Sequence, residues 1–199
     1  FWGKAQSTVI GRKVNQCDVP FPGDERLSRR HAEVFARDGK YYVRDCHSAN
    51  GTVVNGRRLD ADQTVQIGEA AILNLAKEEL LAVFDAAAER LAGQGCAALL
   101  QYDGGCRLIT EEPAKFVYVD PDKTVVDGFT PSACAALAMQ AGKAVLRVYQ
   151  SECVRVDGRE LEAESSTVLH DGAELNIGGK IARFRQLPLV NFQRGGNDQ

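Results

Sequence analysis

Apolar and polar positions alternate in short runs along the first part of the chain. "STVIGR", "AEVFARDGKYYVRDC" and "GTVVNGRRL" are rich in Val and Tyr and are set apart by Gly, Asn and Asp. Alternation over a few residues is the period of a strand with one face buried. Asp38-Gly39 stands between two such runs and predicts a hairpin turn; "HSANGT" and "VNGR" predict further Asn-Gly turns. Short strands with turns this frequent predict an antiparallel sandwich.

The period changes at "EELLAVFDAAAERLAG", where Leu80, Leu81, Phe84, Ala87, Ala88 and Leu91 fall at helical spacing. An internal repeat resolves the ambiguity. Residues 54–75, "VNGRRLDADQTVQIGEAAILNL", lie without a gap on residues 156–177, "VDGRELEAESSTVLHDGAELNI", at a shift of 102. The second copy runs into "KIARFRQL", an alternating strand, so "ELLAVFD" is expected to be the last strand of the first copy. Only "AAERLAG" is then left as a short helical linker. A period this long means two domains and not a solenoid. The expected division is residues 1–92, residues 96–190 and a flexible tail over residues 191–199. The fold class is all-β, two tandem antiparallel sandwiches.

Composition narrows the function. A formal charge of −3 argues against a dedicated nucleic-acid binder. No apolar run is long enough to span a membrane. The chain starts at Phe1 and not Met, so a piece of a longer protein is expected. Its six cysteines include no CxxC pair, and the three histidines form no ligand pattern. Reduced thiols in an intracellular protein, cytoplasmic or nuclear, are the expectation, with no metal and no cofactor.

"RLSRRHAEV", residues 26–34, places a serine and a histidine three apart among arginines. A nucleophilic serine needs an aimed base, an orienting acid and an oxyanion hole. Neither a G-x-S-x-G elbow nor a P-loop occurs in the sequence, so no enzyme is expected. Arginines around a serine hydroxyl suit a phosphate instead, since a fixed guanidinium and short neutral donors match its acceptor oxygens.

"VIGR" (Val9–Arg12), "CDVPF", "LSRRHA" (Leu27–Ala32) and "SANGTVVNG" (Ser48–Gly56) follow one another in order. Together they resemble the forkhead-associated (FHA) domain, a reader of phosphothreonine peptides, over roughly residues 7–85. The resemblance implies a β-sandwich that binds its ligand through loops at one end. It implies that Arg12, Ser28 and Arg29 hold the phosphate and that Asn50 bonds the peptide backbone. Ser28 would offer both its hydroxyl and its backbone N–H. Arg26 and Arg30 are specificity candidates, Arg26 for an acidic residue downstream of the phosphothreonine. Ala49 stands where members often carry Ser or Thr. The resemblance gives His31 a buttressing role in the loop. Gly11, Gly51 and Gly56 serve the backbone, and Asn55 pins a turn. It also implies two strands ahead of "VIGR", where only "FWGKAQ" stands, so the first is missing or supplied from elsewhere.

The second half reads as a degenerate copy. Val119 or Asp120 takes the place of Arg12, Cys134 that of His31, and no counterpart of Asn50 remains. "SACAALAMQ" (Ser132–Gln140) is a buried strand or a helical insertion. The leading expectation is an adaptor: a phosphothreonine-reading domain joined to a sibling that binds no phosphate. The alternative is a phosphate-independent scaffold or dimerisation module. Neither a nucleic acid nor a membrane is expected as partner, and the oligomeric state is open.

Overall fold

The computed structural model describes residues 2–3, 7–91, 95–111, 114–117, 124–125, 133–152, 154–189 and 194–195. Contacts divide the chain into two units. One comprises Phe1–Gly93, Asp103–Arg107 and Val190–Gln199; the other comprises Gln94–Tyr102 and Leu108–Leu189.

In the first unit the strands are β1 (Trp2–Gly3), β2 (Ser7–Gly11), β3 (Val19–Pro20), β4 (Ala32–Arg37), β5 (Lys40–Asp45), β6 (Thr52–Val54), β7 (Arg57–Arg58), β8 (Thr64–Ile67), β9 (Ala70–Leu75) and β10 (Glu78–Val83). The helix α1 (Asp85–Leu91) follows. One sheet runs β3-β2-β4-β5-β8. Val34, Val43 and Ile67 from it meet Val54, Leu73, Leu75 and Ala82 in one buried cluster. The β4–β5 hairpin closes on Asp38 and Gly39, both at positive φ (52° and 69°), as the Asp-Gly pair predicts.

The second unit holds β11 (Cys96–Tyr102), β13 (Ala114–Val117), β14 (Thr124–Val125), β15 (Ala133–Gln140), β16 (Lys143–Val148), β17 (Val154–Val156), β18 (Arg159–Glu160), β19 (Ser166–Val168), β20 (Glu174–Ile177) and β21 (Lys180–Pro188). Between β11 and β13 lies β12 (Gly105–Ile109), and β22 (Arg194–Gly195) comes last. One sheet runs β14-β13-β15-β16-β19, the same succession as its counterpart in the first unit. The other repeats the match, with β21-β20-β17-β18 answering β10-β9-β6-β7. The "SACAALAMQ" segment is a strand, and Cys134 to Ala138 are buried without a break.

Shared turn chemistry holds the two architectures alike. In the first unit Asn55, at φ 50°, exchanges two bonds with Ile72: its N–H reaches the Ile72 carbonyl at 2.8 Å, and its Oδ1 accepts from the Ile72 N–H at 2.8 Å. In the second unit Asp157, at φ 51°, makes the same pair with Glu174, at 2.8 and 2.9 Å. A glycine follows each of them at positive φ, Gly56 at 84° and Gly158 at 76°, the geometry of a two-residue hairpin loop.

The edge of the first unit shows where its extra strand comes from. β1 pairs in parallel with β10 at Trp2 and Val83, and on its other side with β22. Residues from the far end of the chain thus supply the outermost strand. One expectation is corrected: Cys134, read as a reduced thiol, is disulfide-bonded. Spacing along the chain carried no sign of it, because partnership depends on which strands the fold brings together. Cys17, Cys46, Cys96 and Cys106 are not disulfide-bonded. Among the described residues no helix is long and apolar enough to cross a membrane.

Candidate functional site

Three loops of the first unit meet: the one after β2, the one between β3 and β4, and the one between β5 and β6. Backbone bonds tie the first two together. Arg12 N–H donates to the Ser28 carbonyl at 3.0 Å and Lys13 N–H to the Arg29 carbonyl at 3.1 Å. Gly11 makes this approach possible. A Cβ there would lie 2.6 Å from the Arg29 carbonyl oxygen and 2.9 Å from both His31 N and the Ser28 oxygen.

Arg12 is half-buried, and its Nε donates to the Leu27 carbonyl at 3.2 Å. That bond fixes the guanidinium while its two terminal nitrogens remain available to an anion. Ser28 Oγ accepts from the Ala49 N–H at 2.9 Å, so the hydroxyl proton is left to donate outward. The Ser28 N–H is not available: it donates to His31 Nδ1 at 3.2 Å. Of the two donors expected of Ser28, only the hydroxyl proton is left over.

His31 is fully buried. Since its Nδ1 accepts, Nε2 carries the proton and donates to the Gly51 carbonyl at 3.0 Å. One imidazole therefore joins the Ser28 loop to the Asn50 loop. This geometry is that of a brace and not of a base aimed at a nucleophile. Asn50 is exposed, and its Nδ2 donates to the Arg26 carbonyl at 2.7 Å, which leaves Oδ1 and one N–H for a peptide backbone. Arg26 is 60% exposed and reaches the buried Asp24 at 3.3 Å. Burial alone would raise the Asp24 pKa; the Arg26 backbone and side-chain bonds outweigh it and hold it below the usual value. Arg29 is exposed beside Ser28. Arg30 is exposed too, and its charge is felt by Glu33, Cys17 and Cys46.

Asp45 and Arg58 escaped sequence reasoning. Asp45 is 1% exposed. It accepts from Ser48 N–H (2.9 Å), Ser48 Oγ (2.6 Å) and Thr52 Oγ1 (2.7 Å), and so pins both ends of the Asn50 loop. Burial would raise its pKa, yet the bonds from Ser48 and Thr52 prevail and hold the carboxyl below its ordinary value. The signal lay in "YYVRD": Tyr41, Val43 and Asp45 share the inward face of β5, and a carboxylate there needs partners. Arg58 Nη2 donates to the Asn50 carbonyl at 2.8 Å. Its guanidinium lies so close to Gly51, at φ 79°, that a Cβ would come within 2.4 Å of it.

The loops gather Arg12, Arg26, Arg29 and Arg58 around Ser28 and Asn50, a cationic mouth in a chain of negative net charge. In the second unit Val119 and Asp120 lie outside the described residues. Cys134 occupies the His31 position: Cys46 N–H donates to the His31 carbonyl at 2.9 Å, and Tyr149 N–H to the Cys134 carbonyl at 2.8 Å.

The FHA domain family model matches residues 8–76. "FHA domain-containing protein At4g14490" of Arabidopsis thaliana is 29% identical over 73 residues, covering 36% of this chain and 19% of that protein, so the match spans about a fifth of its length. Among solved structures, the MEK1 FHA domain in complex with a HOP1 phosphothreonine peptide is 26% identical, with 41% of this chain and 84% of that chain covered and a TM-score of 0.36. The FHA-2 domain of a Mycobacterium tuberculosis ABC transporter is 30% identical, with 41% and 68% covered and a TM-score of 0.34. The stretch that matches the FHA domain family, residues 8–76, runs from β2 into β9 and takes in the loops at which the motif residues gather.

Proposed function

We propose that the first unit reads phosphothreonine in a partner protein and that the second binds no phosphate, so that the chain serves as an adaptor without catalysis. FHA domains are phosphothreonine-peptide-binding modules. The observation that supports the reading most is the bonded series of loops. Arg12 is held on Leu27 and Ser28, Ser28 on Ala49 and His31, and Asn50 on Arg26 and Arg58. Donors fixed in this way need little reorganisation to meet a dianion.

In this reading Arg12 and Arg29 supply charge, the Ser28 hydroxyl a neutral donor, and Asn50 the peptide contact. Arg26 turns toward the downstream side chain. His31, Gly11, Gly51, Asn55 and Gly56 keep the loops in place. Ala49 contributes its backbone N–H to Ser28 and offers no side-chain bond. The functional division is residues 1–92 for reading and residues 96–190 for packing or interaction.

Calorimetry on the whole chain with matched phosphorylated and unphosphorylated threonine peptides tests it. Binding of the phosphorylated form alone, at about one peptide per chain, is the expected result. Equal affinity for both forms would favour the phosphate-independent scaffold.

A further inference from the structure

Next to the proposed phosphate contacts lies an open cleft of about 500 Å³, lined by Arg12, Lys13, Val14, Asn15, Pro22 and Arg29. Ser28, Ala49 and Asn50 do not line it. Arg12 and Arg29 therefore belong both to the phosphate contacts and to this cleft, and Lys13 belongs to the cleft.

The cleft is built and not a gap between loose loops. The Arg29 carbonyl accepts both Lys13 N–H at 3.1 Å and Cys17 Sγ at 2.9 Å. Gln16 N–H closes a turn onto the Lys13 carbonyl at 3.0 Å. Phe21 N–H donates to the Gly11 carbonyl at 2.8 Å, which anchors the backbone just ahead of Pro22. The turn that carries Lys13, Val14 and Asn15 is thus sewn to the strand end that carries Arg12.

Its chemistry exceeds what one phosphate requires. Three cations face a cleft to which, among the described residues, no carboxylate contributes. Nearby Asp24 is taken by Arg26, and Asp18 accepts from Val9 N–H at 2.7 Å. Val14 is 63% exposed at the rim, and Pro22 gives a second apolar wall. A cationic floor between apolar walls suits a side chain with an aliphatic stem and an anionic tip.

We propose that this cleft is a second anion subsite, which takes a carboxylate or phosphate side chain flanking the phosphothreonine on the same peptide. The proposal rests on the phosphothreonine reading of the first unit and names a further feature of its ligand: two negative side chains and not one. Lys13 discriminates, since Arg12 and Arg29 already serve the phosphothreonine.

The test uses the full chain and fluorescence anisotropy. The reference is a phosphothreonine peptide with alanine flanks. Its derivatives carry Glu, or a second phosphothreonine, singly at each of the three positions on either side. Tightening of about fivefold is expected for Glu at one flank, the scale of one or two exposed ion pairs. The second phosphothreonine, with nearly twice the charge, should do more at the same position. Lys13→Ala and Lys13→Gln should both remove the gain while leaving the alanine-flanked peptide's affinity unchanged. Equal affinity for all flanks, or the lack of any flank whose gain both Lys13 variants remove, would overturn the second subsite alone; a gain that survives them and falls with Arg26→Ala belongs to Arg26 and not to the cleft. Failure of the alanine-flanked phosphopeptide to bind at all would overturn the phosphothreonine reading beneath it. If Glu and phosphothreonine gain alike, the subsite reads a carboxylate; a gain confined to phosphothreonine makes it a phosphate subsite.

Discussion

The two units share a strand order and differ in what they bury beneath their end loops. The first buries His31, Asp45 and Thr52, and the second buries Cys134, Val148 and Val154. Register makes these equivalents: Ala32 faces Asp45 as Ala135 faces Val148, and Thr52 faces Leu75 as Val154 faces Ile177. Where the first unit holds a polar set that ties loops down, the second holds two apolar side chains and a disulfide-bonded cysteine. A sandwich core keeps its volume under such exchanges. Hydrogen bonds that hold loop backbones do not survive them. The comparison separates residues that make the sandwich from residues that make its mouth.

The sharpest way to break this comparison is Arg12→Ala. Charge-assisted bonds are each worth about 1.5–3 kcal/mol, and two of them lost should take phosphopeptide binding below detection. The thermal midpoint should stay put, because the side chain is not in the core. In an NMR titration of the unaltered chain, amides around Arg12, Ser28 and Asn50 should move and those of β16 and β20 should not. Saturable shifts in the second unit that survive Arg12→Ala would reverse the assignment of the two roles.

A second test grafts one unit's burial onto the other. Asp45→Val leaves three donors on Ser48 and Thr52 without an acceptor and should cost about 2–4 kcal/mol. Adding Thr52→Val removes one orphan and should return about 1 kcal/mol. Denaturant unfolding followed through the amides of Thr52 and Val54 reads both. The Asp45 carboxyl has a depressed folded pKa. Its stabilisation is therefore complete above the ordinary aspartate value of about 3.9 and is lost as pH falls through the lower folded value. The acid sensitivity of the first unit should shrink in the double variant.

Smaller again is Gly51→Ala. The φ of 79° and the nearby Arg58 guanidinium should together cost about 1–2 kcal/mol. Arg58→Ala relieves the contact but not the backbone, so the double variant should recover only part of it. Full recovery would show that the backbone at Gly51 carries no strain.

The mildest effect belongs to the second unit. His170 bonds Asp157 at 2.9 Å, and the Asp171 carbonyl and this carboxylate raise its pKa above the usual value. A raised histidine contributes stability that is present below about pH 6.5 and lost as pH climbs through the folded value. Asp157→Asn keeps the turn clamp and should bring the NMR titration midpoint of His170 back toward the ordinary value. A midpoint that does not move would mean that the Asp171 carbonyl alone sets it.

Much of the sandwich was legible because its turns are written in short range. Asn55-Gly56 and Asp157-Gly158 name their own geometry, and the repeat around them fixed where β10 begins. The mouth was legible where the residue type names its own chemistry, as with Arg12 at the end of its strand. It was not legible where service depends on a partner. The Ser28 N–H is spent on His31, and no sequence position tells which histidine nitrogen will face it. Arg58 sits beside an exposed arginine of the same type, and only the fold brings it to Asn50. The bonded state of Cys134 hides for the same reason.

The outermost strand of the first unit, β22, also carries a consequence for biosynthesis. It lies about a hundred residues downstream of β10, beyond every strand of the second unit. At translation rates of about 5–20 residues per second, the free side of β1 waits of the order of ten seconds for its neighbour. Over that interval the nascent first unit presents an unfilled sheet edge, and edges of that kind template pairing with other chains. Synthesis order therefore leaves the first unit, which emerges ahead of the second, unsealed until the second is complete.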